Sequence, residues 1–354
     1  MSEAVHGPPR DDAARPLLDP EPLTRYLDAR LPGDGSFEVE RHQAGHSNET
    51  FFLRRSGMEW VLRRPPRGAF LPTAHDVLRE HRVLSALAAT PVRAPRPLVA
   101  CDDPSVIGAP FYVMEKVDGV VVRDVLPQVL ADEAERRRVG EELIDRLAEL
   151  HAVDWRDVDL EGWGKPSGYL ERQIKRWSGQ LELATRFTRP LPDLERVRDW
   201  LGDHRPESPP PVIVHGDYKL DNVVLSREVP VRVLAVLDWE MSTLGDPFAD
   251  LGYLFSFWRE PGDPPDAVLT EQVELTRLPG FSSRAELVER YAERTGRDPG
   301  DTTWYVVLAI WKLAILLEGS YARHLAGVTD DPFFAELEHG VPALARRAAE
   351  AADA

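Results

Sequence analysis

Residues 212 to 222 read Val-Ile-Val-His-Gly-Asp-Tyr-Lys-Leu-Asp-Asn, an apolar run ending in side chains that can move protons and hold cations. Asn222 follows Asp217 by five residues, and Asp238 closes a second apolar run, residues 233–237, sixteen residues further on. Short apolar runs of this kind read as buried strands. Two strand ends can therefore bring two carboxylates and an amide to one point. Phosphoryl transfer uses such a set: one carboxylate orients an attacking hydroxyl and takes its proton, while an amide oxygen and a second carboxylate hold Mg²⁺ on the phosphates. Hard oxygen ligands suit Mg²⁺ rather than zinc. Taken singly, Asp217 reads equally well as the brace of a loop; the set carries the chemical reading.

The flanking elements must position these residues. In the first part of the chain, Phe37, Val39 and Arg41 alternate with polar neighbours, and residues 50–53 and 60–62 form a hairpin across Ser56-Gly57. Thr73 caps a predicted helix reaching Leu87, with Val77, Leu78, Val83, Leu84 and Leu87 on one side. Residues 97–101 and 110–117 read as a second strand pair. After Asp118-Gly119 the pattern turns helical, with a stripe at Leu143, Ile144, Leu147 and Leu150, candidates at 169–177 and 287–291, and a run at 305–317 that is apolar nearly all round. The result is an α+β chain with a disordered tail (1–20), a small β-rich lobe with one helix (21–117) and a larger, mainly helical lobe (118–350).

Composition narrows the function classes. Acidic residues outnumber basic ones 60 to 43, a formal charge of −17, whereas nucleic-acid and membrane-surface binding call for basic excess. The single cysteine, Cys101, permits neither an intrachain disulfide nor a cysteine-based zinc site, and reads as a small packed apolar residue. Residues 304–317 form the longest apolar stretch; Lys312 interrupts it, and it is too short for a bilayer. The first twenty residues lack the apolar core of a signal peptide. These features lead to an expectation of a cytoplasmic protein without nucleic-acid or membrane partners; its oligomeric state is left open.

The pattern resembles the aminoglycoside phosphotransferase family, which shares the protein-kinase-like fold. His215, Gly216, Asp217 and Asn222 match its H-G-D-x-x-x-x-N loop; Asp238 in Leu-Asp-Trp-Glu matches its metal-binding Asp; Asp246, Pro247, Asp250 and Leu251 match its D-P-x-x-D-L element. The resemblance spans about residues 25 to 325 and implies ATP and Mg²⁺ as cofactors. It implies Asp217 as catalytic base, Asn222 and Asp238 as metal ligands, and Lys219 as a contact to the transferred phosphate. His215 and Asp250 would brace the loop. The family's phosphate-covering loop corresponds to residues 43–50, with Ser47 and Asn48 as nucleotide contacts, although the segment has one glycine. Arg63 stands where the family carries a phosphate-binding lysine, with Arg64 as the alternative and Glu80 as the pairing acid. The backbone of Glu115 and Val117 would meet the adenine edge, with Met114 near the base.

Asp238 and Asp250 are twelve residues apart, which leaves little room for a peptide-binding activation segment and favours a small-molecule hydroxyl as acceptor. Acceptor-side candidates are Tyr169, Arg172, Gln173, Arg176, Glu318, Tyr321 and Arg323. Within the family, Trp-Val-Leu-Arg-Arg-Pro-Pro, His-Gly-Asp-Tyr and Leu-Asp-Trp-Glu resemble the kinase-like domain upstream of some acyl-CoA dehydrogenases, which implies hydroxyacyl-CoA thioesters as substrates. Trp177 and the Arg-Gln-x-x-Arg run suit an anionic ligand, while the net negative charge suits an aminoglycoside. A competing reading, resting on Arg63 and the glycine-poor loop, is a nucleotide-binding pseudokinase that transfers nothing.

Overall fold

A computed structural model of the chain describes residues 18–42, 48–66, 76–264, 274–328 and 332–353. Two compact units emerge, one comprising residues up to 89 together with 94–117, the other comprising 90–93 and everything from Asp118 onward.

In the first unit, Ser56 (φ 49°) and Gly57 (φ 77°) both adopt left-handed backbone, the geometry of a tight two-residue hairpin turn. The turn joins β2 (Glu49–Arg55) to β3 (Met58–Arg64) with Leu53 opposite Trp60 and Phe51 opposite Leu62. With β1 (Glu38–His42), β4 (Pro97–Cys101) and β5 (Phe111–Glu115) they form an antiparallel sheet in the order β1-β2-β3-β5-β4. One face buries Phe51, Leu53, Trp60, Leu62, Cys101, Phe111 and Val113 against Leu23, Leu27 and Phe37. Cys101 is thus the small core residue its sequence context implies.

Two helices serve this sheet, not one. The first, α1 (Pro20–Leu27), begins with Asp19 accepting the Glu21 N–H and proline in the first turn. Its lone polar-flanked leucines, Leu23 and Leu27, give too short a stripe to be read beforehand, and Leu18, placed by sequence in the tail, is already buried in the core. The second, α2 (Val77–Leu87), starts at Asp76, whose carboxylate accepts the N–H groups of Leu78 and Arg79. Thr73, the expected cap, lies outside the described residues.

The second unit is built on helices α3 (Glu133–Ala152), α4 (Tyr169–Thr185), α5 (Pro192–Asp203), α6 (Phe248–Phe257), α7 (Arg284–Thr295), α8 (Thr303–Leu325) and α9 (Pro332–Asp353). Two small ribbons interrupt them: β6 (Val212–Val214) with β9 (Thr243–Gly245), and β7 (Val223–Leu225) with β8 (Val233–Val236). Helix α8 corrects the length argument above: at 23 residues it is long and apolar enough to cross a membrane, but most of it is buried inside the unit. Its indoles find partners there, Trp304 on the Leu201 carbonyl (3.2 Å) and Trp311 on that of Leu194 (2.9 Å), as buried Trp N–H groups require. Gly252 on α6 allows the close packing, since a Cβ there would fall 2.4 Å from the Tyr305 backbone.

Candidate active site

Strand β6 runs straight into His215, Gly216 and Asp217, and the backbone at this exit is pinned by one carboxylate. Asp250, on the first turn of α6, accepts the His215 N–H through Oδ2 and the Gly216 N–H through Oδ1, both at 2.7 Å. His151, at the end of α3, bonds Asp250 Oδ2 (3.2 Å) through Nε2, and its Nδ1 meets the Tyr291 hydroxyl at 2.8 Å. Burial alone would raise the Asp250 carboxyl; the His151 interaction and the Gly216 amide outweigh it and hold the group below its usual range.

His215 fixes the next step of the chain. Its Nε2 lies 2.8 Å from the Leu237 carbonyl, and Nδ1 accepts the Asp217 N–H at 3.2 Å. The carbonyl can only accept, so the proton resides on Nε2. The ring also lies against Trp239 and Tyr218, and the Tyr218 hydroxyl donates to the Leu143 carbonyl. Gly216 has φ 85°, and a Cβ there would approach the Met241 carbonyl oxygen to 2.7 Å. Only glycine makes this bend without displacing the backbone that follows Asp238.

Beyond the bend lie the residues with chemical capacity. Asn222 donates through Nδ2 to Asp217 Oδ2 (2.6 Å) and to the Asp217 carbonyl (2.8 Å). With Nδ2 so engaged, Asn222 Oδ1 is the end of the amide left to face a cation. The β7–β8 pairing sets Val223 opposite Val236, and the Leu237 N–H donates to the Asn222 carbonyl (2.7 Å), so Asn222 and Asp238 sit at the same end of one ribbon. Asp238 occupies left-handed backbone (φ 63°, ψ 69°), a conformation non-glycine residues hold only when their surroundings enforce it, and one concentrated at functional sites. Two oxygen donors plus phosphate oxygens suit a small hard cation. Among the described residues no group of three or more His, Cys, Asp and Glu side chains converges as a metal centre, so a protein-only cage is not on offer there.

Asp217 is half-buried, and desolvation pushes its carboxyl above the usual range; Lys219 pulls it down, Asp238 pushes it up, and the Tyr253 hydroxyl hydrogen-bonds to it. Lys219 pairs with Asp221 at 3.0 Å and lies over the Phe257 ring. Burial would lower its ammonium, but Asp217 and Asp221 outweigh that and keep it protonated.

Tyr253, His151 and Tyr291 were not singled out from sequence. His151 falls four residues after Leu147 on the apolar stripe of α3, a buried titratable group on a core face. Tyr253 falls one turn after Asp250 on α6. Both spacings were available signals.

In the first unit, Arg63 and Glu80 form a buried ion pair, Nη1 to Oε1 at 2.5 Å. Strand alternation gives the two arginines different partners. Arg63 shares its face with α2, whereas Arg64 turns to the other face and donates to the Ile107 carbonyl (3.2 Å). Asn48 is buried at the start of β2, and Ser47, with residues 43–46, lies outside the described residues. The Glu115 N–H donates to the Arg96 carbonyl (3.0 Å) and its carboxylate accepts the Arg96 N–H (2.9 Å), so a ligand at this residue would use its carbonyl; Val117 follows two residues on.

Several acceptor-side candidates have partners within the protein. Arg172 donates to the carbonyls of Lys165 and Ser167, and Gln173 accepts from Trp177 Nε1 (3.2 Å). Glu318 is buried against Arg189 (2.9 Å), which also stacks on Tyr321, and Arg323 bonds Ser320. Tyr169 is buried at a close approach to Gly245. Arg176 is exposed and stands over the Trp177 ring, 5.7 Å from its centroid.

A loop so pinned, followed by an Asp–Asn pair and an Asp on a ribbon end, defines a kinase-like phosphotransferase architecture. The family model described as "Phosphotransferase enzyme family" (APH) matches residues 38–300, and the chain belongs to that family. Acyl-CoA dehydrogenase family member 11 of Rattus norvegicus is 36% identical over 319 residues, covering 88% of this chain. The chain spans only 40% of that relative's length. A Ralstonia eutropha protein provisionally named an aminoglycoside phosphotransferase is 34% identical, with a TM-score of 0.78 and coverage of 95% of this chain and 98% of its own. Spectinomycin phosphotransferase, solved with ADP and spectinomycin, shares the fold at 10% identity (TM-score 0.59, covering 94% and 98%).

Proposed function

We propose that the protein transfers the γ-phosphoryl group of ATP to a hydroxyl of a small molecule. The observation that carries this reading is the Asp217 carboxylate, half-buried, held by Asn222 and Tyr253, and set just after backbone amides pinned by Asp250. A desolvated carboxylate with a raised pKa is matched to taking a proton from a hydroxyl near neutral pH. As the acceptor oxygen bonds to the γ-phosphorus, the bond from that phosphorus to the β-phosphate oxygen breaks, and the hydroxyl proton passes to Asp217. Lys219 supplies positive charge beside the transferred group. Asn222 and Asp238 are the residues to hold Mg²⁺, which when bound neutralises charge on the phosphates. Arg63, fixed by Glu80, takes the place of the family's phosphate-binding lysine; its planar fork contacts phosphate through two N–H groups where a lysine offers a point charge. The nucleotide role of Ser47, Asn48, Glu115 and Val117 rests on the family resemblance, and the fold neighbour solved with ADP supports nucleotide use.

For the acceptor we favour hydroxyacyl-CoA thioesters, because relatives 36% identical are named as acyl-CoA dehydrogenase family members. The test is mass spectrometry after incubation with Mg²⁺-ATP. One pool holds hydroxyacyl-CoAs and the other holds aminoglycosides and macrolides. The expected outcome is phosphate gained in the first pool. Phosphate gained only in the second reassigns the acceptor, and ATP binding with no product in either pool supports the pseudokinase reading instead.

A further inference from the structure

Lys312 lies in the middle of α8, a helix otherwise apolar on nearly every side. The residue is 8% exposed. Among the described residues its ammonium makes no hydrogen bond and no ion pair; its one close partner is the Trp177 ring, 5.8 Å from Nζ. A buried ammonium without an anionic partner costs several kcal/mol. Other buried basic side chains here are partnered: Arg55 by Asp28 and the Leu31 and Pro32 carbonyls, Arg63 by Glu80. Burial pushes the Lys312 ammonium down to about 8, opposed by the charges of Asp250 and Asp217 and assisted by Arg176. Asp250 does not need it, being held by two amides and His151. Lys312 lies two turns beyond Tyr305 on α8; the Tyr305 hydroxyl bonds Asp246 at 3.1 Å and its backbone packs on Gly252, so Lys312 shares the face of α8 turned to α6, the helix of Asp250 and Tyr253. Trp177 has a second cation on its ring, Arg176 at 5.7 Å, which is exposed and has no hydrogen-bond or ion-pair partner among the described residues.

We propose that Lys312, with Trp177 and Arg176, forms an anion subsite for the phosphate acceptor. The acceptor would then carry a free carboxylate as well as its hydroxyl, which makes it a hydroxy acid and not the CoA thioester favoured above, whose carboxyl is uncharged. This deepens the transferase reading and rests on it for the term acceptor, but the subsite can be tested by binding alone. The probes are 6-hydroxyhexanoate and its neutral amide, titrated by ligand-observed NMR against the full chain with Mg²⁺ and a non-hydrolysable ATP analogue. A charge-assisted contact in a buried setting predicts roughly tenfold or tighter binding of the acid over the amide. Lys312→Met should abolish that preference while keeping or raising Tm, because it removes an unpaired buried charge; Lys312→Gln serves if the methionine variant does not fold. Arg176→Gln should weaken the acid by a smaller factor. Equal binding of the two probes, a preference that survives Lys312→Met, or no binding of either overturns the subsite. A preference found in a protein that phosphorylates nothing would keep the subsite and remove the transferase reading. Transfer to neutral alcohols without the preference would do the reverse.

Discussion

The two ends of the loop from His215 to Asn222 are built on opposite terms. At the His215–Gly216 end each polar group named above has a partner: two amides on Asp250, Asp250 on His151, His151 on Tyr291, and His215 on Leu237 and Asp217. At the other end, Asp217 is half-buried with its carboxyl pushed up by desolvation, and Asp238 is in strained backbone. A satisfied network makes one conformation rigid. A charge held against its solvation preference gains from binding something that compensates it. The difference shows how a fold divides stability from reactivity within a few residues.

Breaking the satisfied end should have the largest effect on stability. Asp250→Ala leaves two buried amides and His151 without their acceptor. At about 1–3 kcal/mol for each of the three orphaned groups, the loss is about 3–9 kcal/mol by denaturant unfolding. A loss under about 1 kcal/mol would mean that water or a rearranged side chain replaces the carboxylate.

The Arg63–Glu80 pair tests whether a buried charge in the first unit behaves like the satisfied end. Arg63→Met strands Glu80 and should cost about 3–5 kcal/mol. Joint replacement by apolar residues should recover most of that stability while ATP affinity stays weakened. Full ATP affinity in the double variant would remove the phosphate role.

The α7 capping box calibrates the comparison as a remote structural contact. Ser283 accepts the Glu286 N–H, and the Glu286 carboxylate accepts the Ser283 N–H at 2.7 Å. Ser283→Ala should cost about 1 kcal/mol with turnover unchanged. That backbone bond, with Arg137 and the Ser283 hydroxyl, draws the Glu286 carboxyl down to about 2 from an ordinary 4.5. A depressed carboxyl stabilises the fold above its unfolded pKa. The destabilisation by Glu286→Gln should therefore be full above about pH 4.5 and fade as pH falls to about 2, read by thermal melts across that window.

Much of this site was legible in the sequence because its chemistry is local. His215 to Asn222 lie within one turn-and-bend, and Asp238 is tied to them by a short ribbon. The hairpin at Ser56-Gly57 and the apolar helix around Trp311 were legible for the same reason, as short-range patterns. The Asp250–His151–Tyr291 chain was not, since it joins three helices far apart in sequence and periodicity marks their residues only as core. Helix α1 was hidden by a proline- and acid-rich composition that reads as a tail until Leu18, Leu23 and Leu27 are seen buried together. Lys312 looked like an interruption of an apolar run; only its lack of a partner gives it meaning.

The central claim is that Asp217 performs chemistry and contributes little to holding the fold. Asp217→Ala, assayed side by side for phosphoryl transfer, ATP affinity and thermal unfolding, tests it directly. The predicted result is transfer lower by roughly 10²–10⁴-fold with ATP binding kept and Tm unchanged or raised. Wild-type transfer in the variant, or a collapse of Tm like that expected for Asp250→Ala, would contradict it.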